Sequence, residues 1–165
     1  TPENTNSGFV LWLMGPTSGG KTTIGEHLLE RLRPEGAPSM HFDGDEVRNF
    51  LGPDLGFESS DRQRVVATLV HLANKTSAAG VNVIVSALTA SEDTRRLVLD
   101  TVKNPIIVYI KCSIETCARR DPKGLYNSGE ERRDRYPDRR QFRLKVGKEI
   151  LRRLWVVQRI MQIEG

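Results

Sequence analysis

Short apolar runs along this chain alternate with longer stretches whose apolar residues recur every three or four positions. That change of period separates strands from helices. Residues 9–14, FVLWLM, are continuously apolar, as a strand covered on both faces requires. Ile24, Leu28, Leu29 and Leu32 follow at helical spacing. The proline- and glycine-bearing stretch 34–38 breaks that helix, and residues 39–42 predict a short second strand ending at Asp43. A short helix is predicted over 46–51, stopped by Gly52 and Pro53, with a loop at 55–57. A long helix then starts at Ser60, capped by Ser59 or Ser60, with Val65, Val66, Leu69, Val70 and Ala73 on its apolar face and Gly80 at its end.

Residues 81–85 form the third predicted strand, and Ser91 caps a helix that turns Leu97, Val98 and Val102 inward. Pro105 ends the connection to a fourth strand over 106–110. A short helix over 114–120 and a loop over 121–127 follow, and a final helix to about Ile163 carries Val146, Ile150, Leu154, Val157 and Met161 in one stripe. The polar opening, residues 1–8, predicts a frayed end. Strands alternating with helices point to one α/β domain over 1–165, with three layers, a mostly parallel sheet of about five strands and helices on both faces. A fifth strand is not evident in the pattern, and 121–140 reads as a lid.

Between the first strand and the first helix lie Gly15, Pro16, Thr17, Ser18, Gly19, Gly20, Lys21 and Thr22, which fit the phosphate-loop pattern G-x-x-x-x-G-K-[ST]. A loop that wraps a polyphosphate aims consecutive backbone N–H groups inward, and the next helix turns its positive end toward the same charge. Residues 15–23, through Thr23, are therefore the candidate ATP cradle. Lys21 is placed to reach the β and γ oxygens, and Thr22 to ligate Mg²⁺. Asp43 and Asp45 sit at the carboxyl end of the second strand, the edge that faces the ligand crevice in open α/β sheets.

Charge narrows the partner. The chain has 25 Lys and Arg against 21 Asp and Glu, a net charge of +4, and its arginines gather at 119–120, 132–135 and 139–140. A phosphate-gripping lid and a solvated charged face both account for that cluster. Nucleic-acid binding is disfavoured, because the basic residues lack interleaved aromatics. Cys112 and Cys117 suit neither a zinc site nor a C-x-x-C pair and read as reduced thiols. No apolar run approaches the roughly 18 residues of a membrane span, and the expected location is cytoplasmic. No N-K-x-D pattern supports a GTPase, which leaves a kinase of small metabolites or nucleotides, or a module that binds nucleotide without transfer.

The segment HFDGDEVRNFLGPDLGFESSDR, with GVNVIVS after it and CARRDPKGLY further on, resembles the adenylylsulfate kinase family over roughly residues 9–126. The resemblance implies transfer of the ATP γ-phosphoryl group to the 3′-hydroxyl of adenosine 5′-phosphosulfate, a small anionic nucleotide, by what is commonly a homodimer. It assigns one of Asp43 and Asp45 to the acceptor hydroxyl and the other to Mg²⁺ through water, with Asp45 preferred on the acceptor side, so that Lys21 and Asp45 are the catalytic pair. Arg48 and Arg62 match arginines that hold the acceptor, Phe57 the aromatic at its base, and Lys123 a lid lysine. Leu88 and Thr89 are expected to line the acceptor pocket, and Arg119 and Arg120 to stabilise the transferring charge.

The departures lie on the acceptor side. After Asp61 and Arg62 the family carries Glu-Asn-Ile-Arg-Arg where this chain has Arg64-Val65-Val66-Ala67-Thr68. Its Phe-Ile-Ser-Pro-Tyr-Arg appears as residues 87–92, ALTASE, and its lid sequence after Lys-Gly-Leu-Tyr gives way to NSGEERRDRYPDRR. Polar sites reject analogues strongly when their partners are lost, so an APS-kinase-like enzyme with a different nucleotide-like acceptor is the alternative.

Overall fold

The computed structural model describes residues 7–103, 105–110 and 112–120, and the elements within them follow the predicted order. They are β1 (Val10–Met14), α1 (Lys21–Leu32), β2 (Ser39–Asp43), α2 (Gly44–Leu51), α3 (Ser59–Ala78), β3 (Asn82–Ser86), α4 (Glu92–Thr101), β4 (Pro105–Tyr109) and α5 (Ile114–Arg120), with a 3-10 turn over Arg33–Glu35 after α1 that the pattern did not predict. The sheet has the order β2-β3-β1-β4, and every pairing is parallel. It holds four strands among the described residues, against the expected five. The closing helix and the whole segment 121–140 expected as a lid, Lys123 included, fall outside them.

Each strand residue faces one of two cores, because side chains alternate across the sheet. Leu11 and Leu13 of β1, Ile84 of β3 and Ile106 of β4 pack with Leu28 and Leu32 of α1 on one face. Val10, Trp12 and Met14 of β1, with Val83 and Val85 of β3, pack on the other face against Val65, Val66, Leu69, Val70 and Ala73 of α3, Val47 of α2 and Val98 of α4. That is why β1 has no polar position. Full burial of one such side chain stabilises the fold by roughly 1.5–3 kcal/mol.

The edge strands differ from the centre. Pro105 is the first residue of β4, a strand position that tolerates proline, instead of sitting in the connection before it. β2, at the other edge, carries Ser39, His41 and Asp43. Two expectations about ends change and a third holds. Gly8 donates its N–H to Ser77 O at 2.8 Å, so this part of the expected frayed segment is held by the end of α3. Neither Ser59 nor Ser60 caps α3: the N-cap is Glu58, whose side chain makes no cap hydrogen bond. Ser91 does cap α4, accepting from Thr94 N at 3.2 Å.

Candidate active site

The carboxyl ends of β1, β2 and β3 meet at a cleft of about 840 Å³, within the range of small-molecule sites. Residues 17–23 form one side of it. Gly20 is the N-cap of α1 at φ 93°, in the left-handed region glycine adopts cheaply, and it offers no side-chain cap. The first turn of α1 therefore keeps its positive end for a ligand. Ser18 also has a left-handed backbone, at φ 60°, and its Oγ is buried with no hydrogen-bond partner among the described residues. Such an orphaned oxygen inside an anion cradle fits a phosphate. Lys21 Nζ donates to the loop carbonyls of Gly15 at 3.0 Å and Pro16 at 2.7 Å, so the ammonium curls back over the loop.

Asp43 joins this loop to the other half of the cleft. Its Oδ1 caps α2, accepting from Asp45 N at 2.8 Å and Glu46 N at 3.4 Å, while its Oδ2 accepts from Thr22 Oγ1 at 2.5 Å. The structure thus gives Asp43 a capping role and a place beside Thr22 together. A hydroxyl and a carboxylate at one point of the cleft are hard oxygen donors of the kind Mg²⁺ takes.

Across the cleft stand Asp45, Arg48, Phe57 and Arg62. Arg48 donates from Nη1 to the Gly56 carbonyl, and its guanidinium lies over the Phe57 ring, 4.7 Å from the centroid. Arg62 Nε donates to the Phe57 carbonyl at 3.0 Å. Both arginines therefore brace the loop that presents Phe57, which is 49% exposed. Burial is the main influence lowering the Arg48 pKa; the Asp45 charge opposes it, the Arg62 charge adds to it, and Asp61 opposes it. A guanidinium stays cationic at neutral pH, so Arg48 still offers positive charge to the cleft.

Most sequence-predicted residues meet at this one cleft, including Leu88 and Arg120. Thr89 does not. It is 0% exposed, accepts from Trp12 Nε1 at 3.0 Å and donates to Ala87 O at 3.1 Å, so it braces the α3 side of the core instead of lining the acceptor pocket. Gly15 and Pro16 act through their carbonyls behind the cleft, and Arg119 donates to Thr116 Oγ1 at 3.3 Å on α5. Asn49 and Ser86 line the cleft without having been singled out, and Val65, Val66 and Ala87 line it from the segments that depart from the family pattern. Ser86 was findable: it is a lone polar residue closing an apolar strand at the carboxyl edge. Its Oγ lies 2.8 Å from His41 Nε2, and His41 has its pKa lowered chiefly by burial, with Asp43, Glu26 and Glu46 opposing.

A phosphate loop at the head of a parallel sheet, facing an acidic and arginine-lined wall, places the chain among the phosphate-loop kinases. Comparison with known proteins narrows that class. The family model for adenylylsulphate kinase matches residues 7–134. An adenylyl-sulfate kinase from Chloroflexus aurantiacus is 36% identical over 126 residues, 76% of this chain and 68% of that protein. One from Deinococcus deserti is 36% identical over 124 residues, 75% of this chain and 68% of that protein. Among solved structures, the Mycobacterium tuberculosis APS kinase CysC in complex with AMPPNP and APS superposes with a TM-score of 0.72 at 26% identity, covering 94% of this chain and 98% of that one. The chain belongs to the adenylylsulphate kinase family.

Proposed function

We propose that this protein transfers the γ-phosphoryl group of ATP to the 3′-hydroxyl of adenosine 5′-phosphosulfate, giving 3′-phosphoadenosine 5′-phosphosulfate and ADP. The observation that carries the reading is the continuity of one cleft from the phosphate loop to Asp45, Arg48, Phe57 and Arg62. Phosphoryl transfer needs positioning and charge stabilisation more than covalent help from the protein, and both kinds of group line this cleft.

The loop amides and the N-terminus of α1 bind the phosphates, and Lys21 leaves the carbonyls of Gly15 and Pro16 to meet the β and γ oxygens. Thr22 and Asp43 are the residues that would hold Mg²⁺, which would neutralise charge on the phosphates. Asp45 accepts or orients the proton of the attacking hydroxyl. The Phe57 face takes the acceptor's base, with Arg48 and Arg62 at its anionic end. Arg120 adds positive charge at the rim. A single kinase domain closed by a lid over 121–140 that carries Lys123, and a homodimeric assembly, belong to the same proposal and rest on the family resemblance.

One observation favours a second acceptor. Val65 and Ala87 line the cleft at positions in the two segments where the sequence departs from the family pattern. A coupled ADP-release assay with MgATP decides between the two, comparing adenosine 5′-phosphosulfate with a panel of other nucleotides and using Lys21→Ala as the blank. Turnover on the phosphosulfate is expected. Turnover on another nucleotide alone transfers the assignment to that acceptor, and none on any acceptor overturns the kinase reading.

A further inference from the structure

We infer that His41 and Ser86 are positioning residues for the phosphate loop: a hydrogen-bonded chain from the His41 ring through the Ser86 hydroxyl to the Lys21 carbonyl holds the first turn of α1 on the sheet. This rests on the reading that the loop binds ATP.

The register places the parts. β2 and β3 are parallel neighbours in which His41 lies opposite Ile84 and Asp43 opposite Ser86. Ile84 belongs to the core under α1, so His41, Asp43 and Ser86 share the α1 face. Ser86, 2% exposed, has its Oγ 3.0 Å from Lys21 O and 2.8 Å from His41 Nε2. A carbonyl can only accept and a hydroxyl has one proton to give. Ser86 therefore donates to Lys21 O and accepts from His41, which assigns the ring proton to Nε2.

The contact needs a helix brought unusually close, and Gly25 provides it. A Cβ at that position would stand 2.5 Å from His41 Nε2 and 2.7 Å from Ser86 Oγ. The polar pair fills the space a side chain would have taken. Two consecutive residues of the site are then tied to the sheet edge, Lys21 by its carbonyl and Thr22 by its hydroxyl to Asp43. The two ties differ in kind. Mg²⁺ competes for the Thr22 and Asp43 oxygens, but an anionic phosphate has no proton to offer the Lys21 carbonyl, so the Ser86 tie persists when nucleotide is bound. It fixes the backbone from which the Lys21 ammonium must reach the γ-phosphoryl oxygens, where a small misplacement is costly in rate.

The test uses the whole protein with Ser86→Ala, His41→Leu and His41→Gln, the last because a glutamine amide can replace the ring N–H. We measure kcat, KM for MgATP and for the acceptor, ADP affinity by calorimetry, and Tm. In Ser86→Ala and His41→Leu, kcat is expected to fall about tenfold with the acceptor KM unchanged. His41→Gln should recover to within about threefold of wild type, whatever its Tm. Equal loss in His41→Leu and His41→Gln would overturn the inference, since packing alone would then explain it. Wild-type kcat and MgATP KM in a folded Ser86→Ala would overturn it too, and if that variant does not fold, the two His41 variants decide. Failure of the wild-type protein to bind ADP or ATP would overturn the underlying reading and the inference together.

Discussion

The two walls of the cleft are built in different ways. The donor wall is one continuous stretch, residues 17–23, whose working groups are backbone amides, a helix end and two side chains. The acceptor wall draws Asp45, Arg48, Phe57 and Arg62 from α2, a loop and α3, and the braces between them decide its shape. A wall made of backbone keeps its geometry wherever its sequence motif occurs. A wall made of side chains from separate elements changes with any brace, so an acceptor pocket can drift while the ATP cradle stays intact.

The largest break is expected on the donor wall. Lys21→Ala should lower turnover by about 10³-fold or more while leaving Tm near wild type, because it removes charge from the transition state and nothing from either core. ADP release together with thermal melting checks this, and near-normal turnover would contradict the mechanism.

Asp45→Asn comes next. It should reduce turnover by roughly 10²-fold or more, with nucleotide affinity held within a few-fold, as loss of an acceptor-side base requires. Parallel losses of turnover and MgATP binding would move Asp45 to the metal.

On the acceptor wall itself, Arg48→Ala should raise the acceptor KM by about tenfold or more and cost about 1–3 kcal/mol of stability, since the Gly56 carbonyl and the Phe57 ring both lose a partner. Arg48→Lys should not restore the acceptor KM, because a lysine lacks the planar fork. Full rescue by lysine would show that charge alone is read there.

The smallest effect on turnover belongs to Thr89→Val. Trp12 Nε1 would be left buried without an acceptor, costing about 1–3 kcal/mol in a melting experiment, while turnover stays within a few-fold. Loss of turnover with an unchanged melting point would return Thr89 to the acceptor pocket.

Periodicity and punctuation alone located every described strand and α-helix to within about two residues, and the phosphate loop was legible for the same reason. These features arise from residues close in sequence: alternation sets which face of β1 meets which core, and glycine and a helix start set the cradle. What the chain order did not reveal was which polar groups would find each other. Asp43 and Thr22 are 21 positions apart, Ser86 and Lys21 are 65, and Thr89 and Trp12 are 77. The parallel register of β1, β2 and β3 brings them together. Only once the sheet is assembled does Thr89 become a core brace rather than a pocket residue, because burial leaves Trp12 Nε1 no water to bond and makes the nearest hydroxyl its partner. The sequence by itself determined the elements and the nucleotide cradle, through local conformational preference. Packing decided how Arg48 and Arg62 brace the Phe57 loop and which hydroxyl meets the Lys21 carbonyl, since buried polar groups are assigned their partners by packing and not by order along the chain.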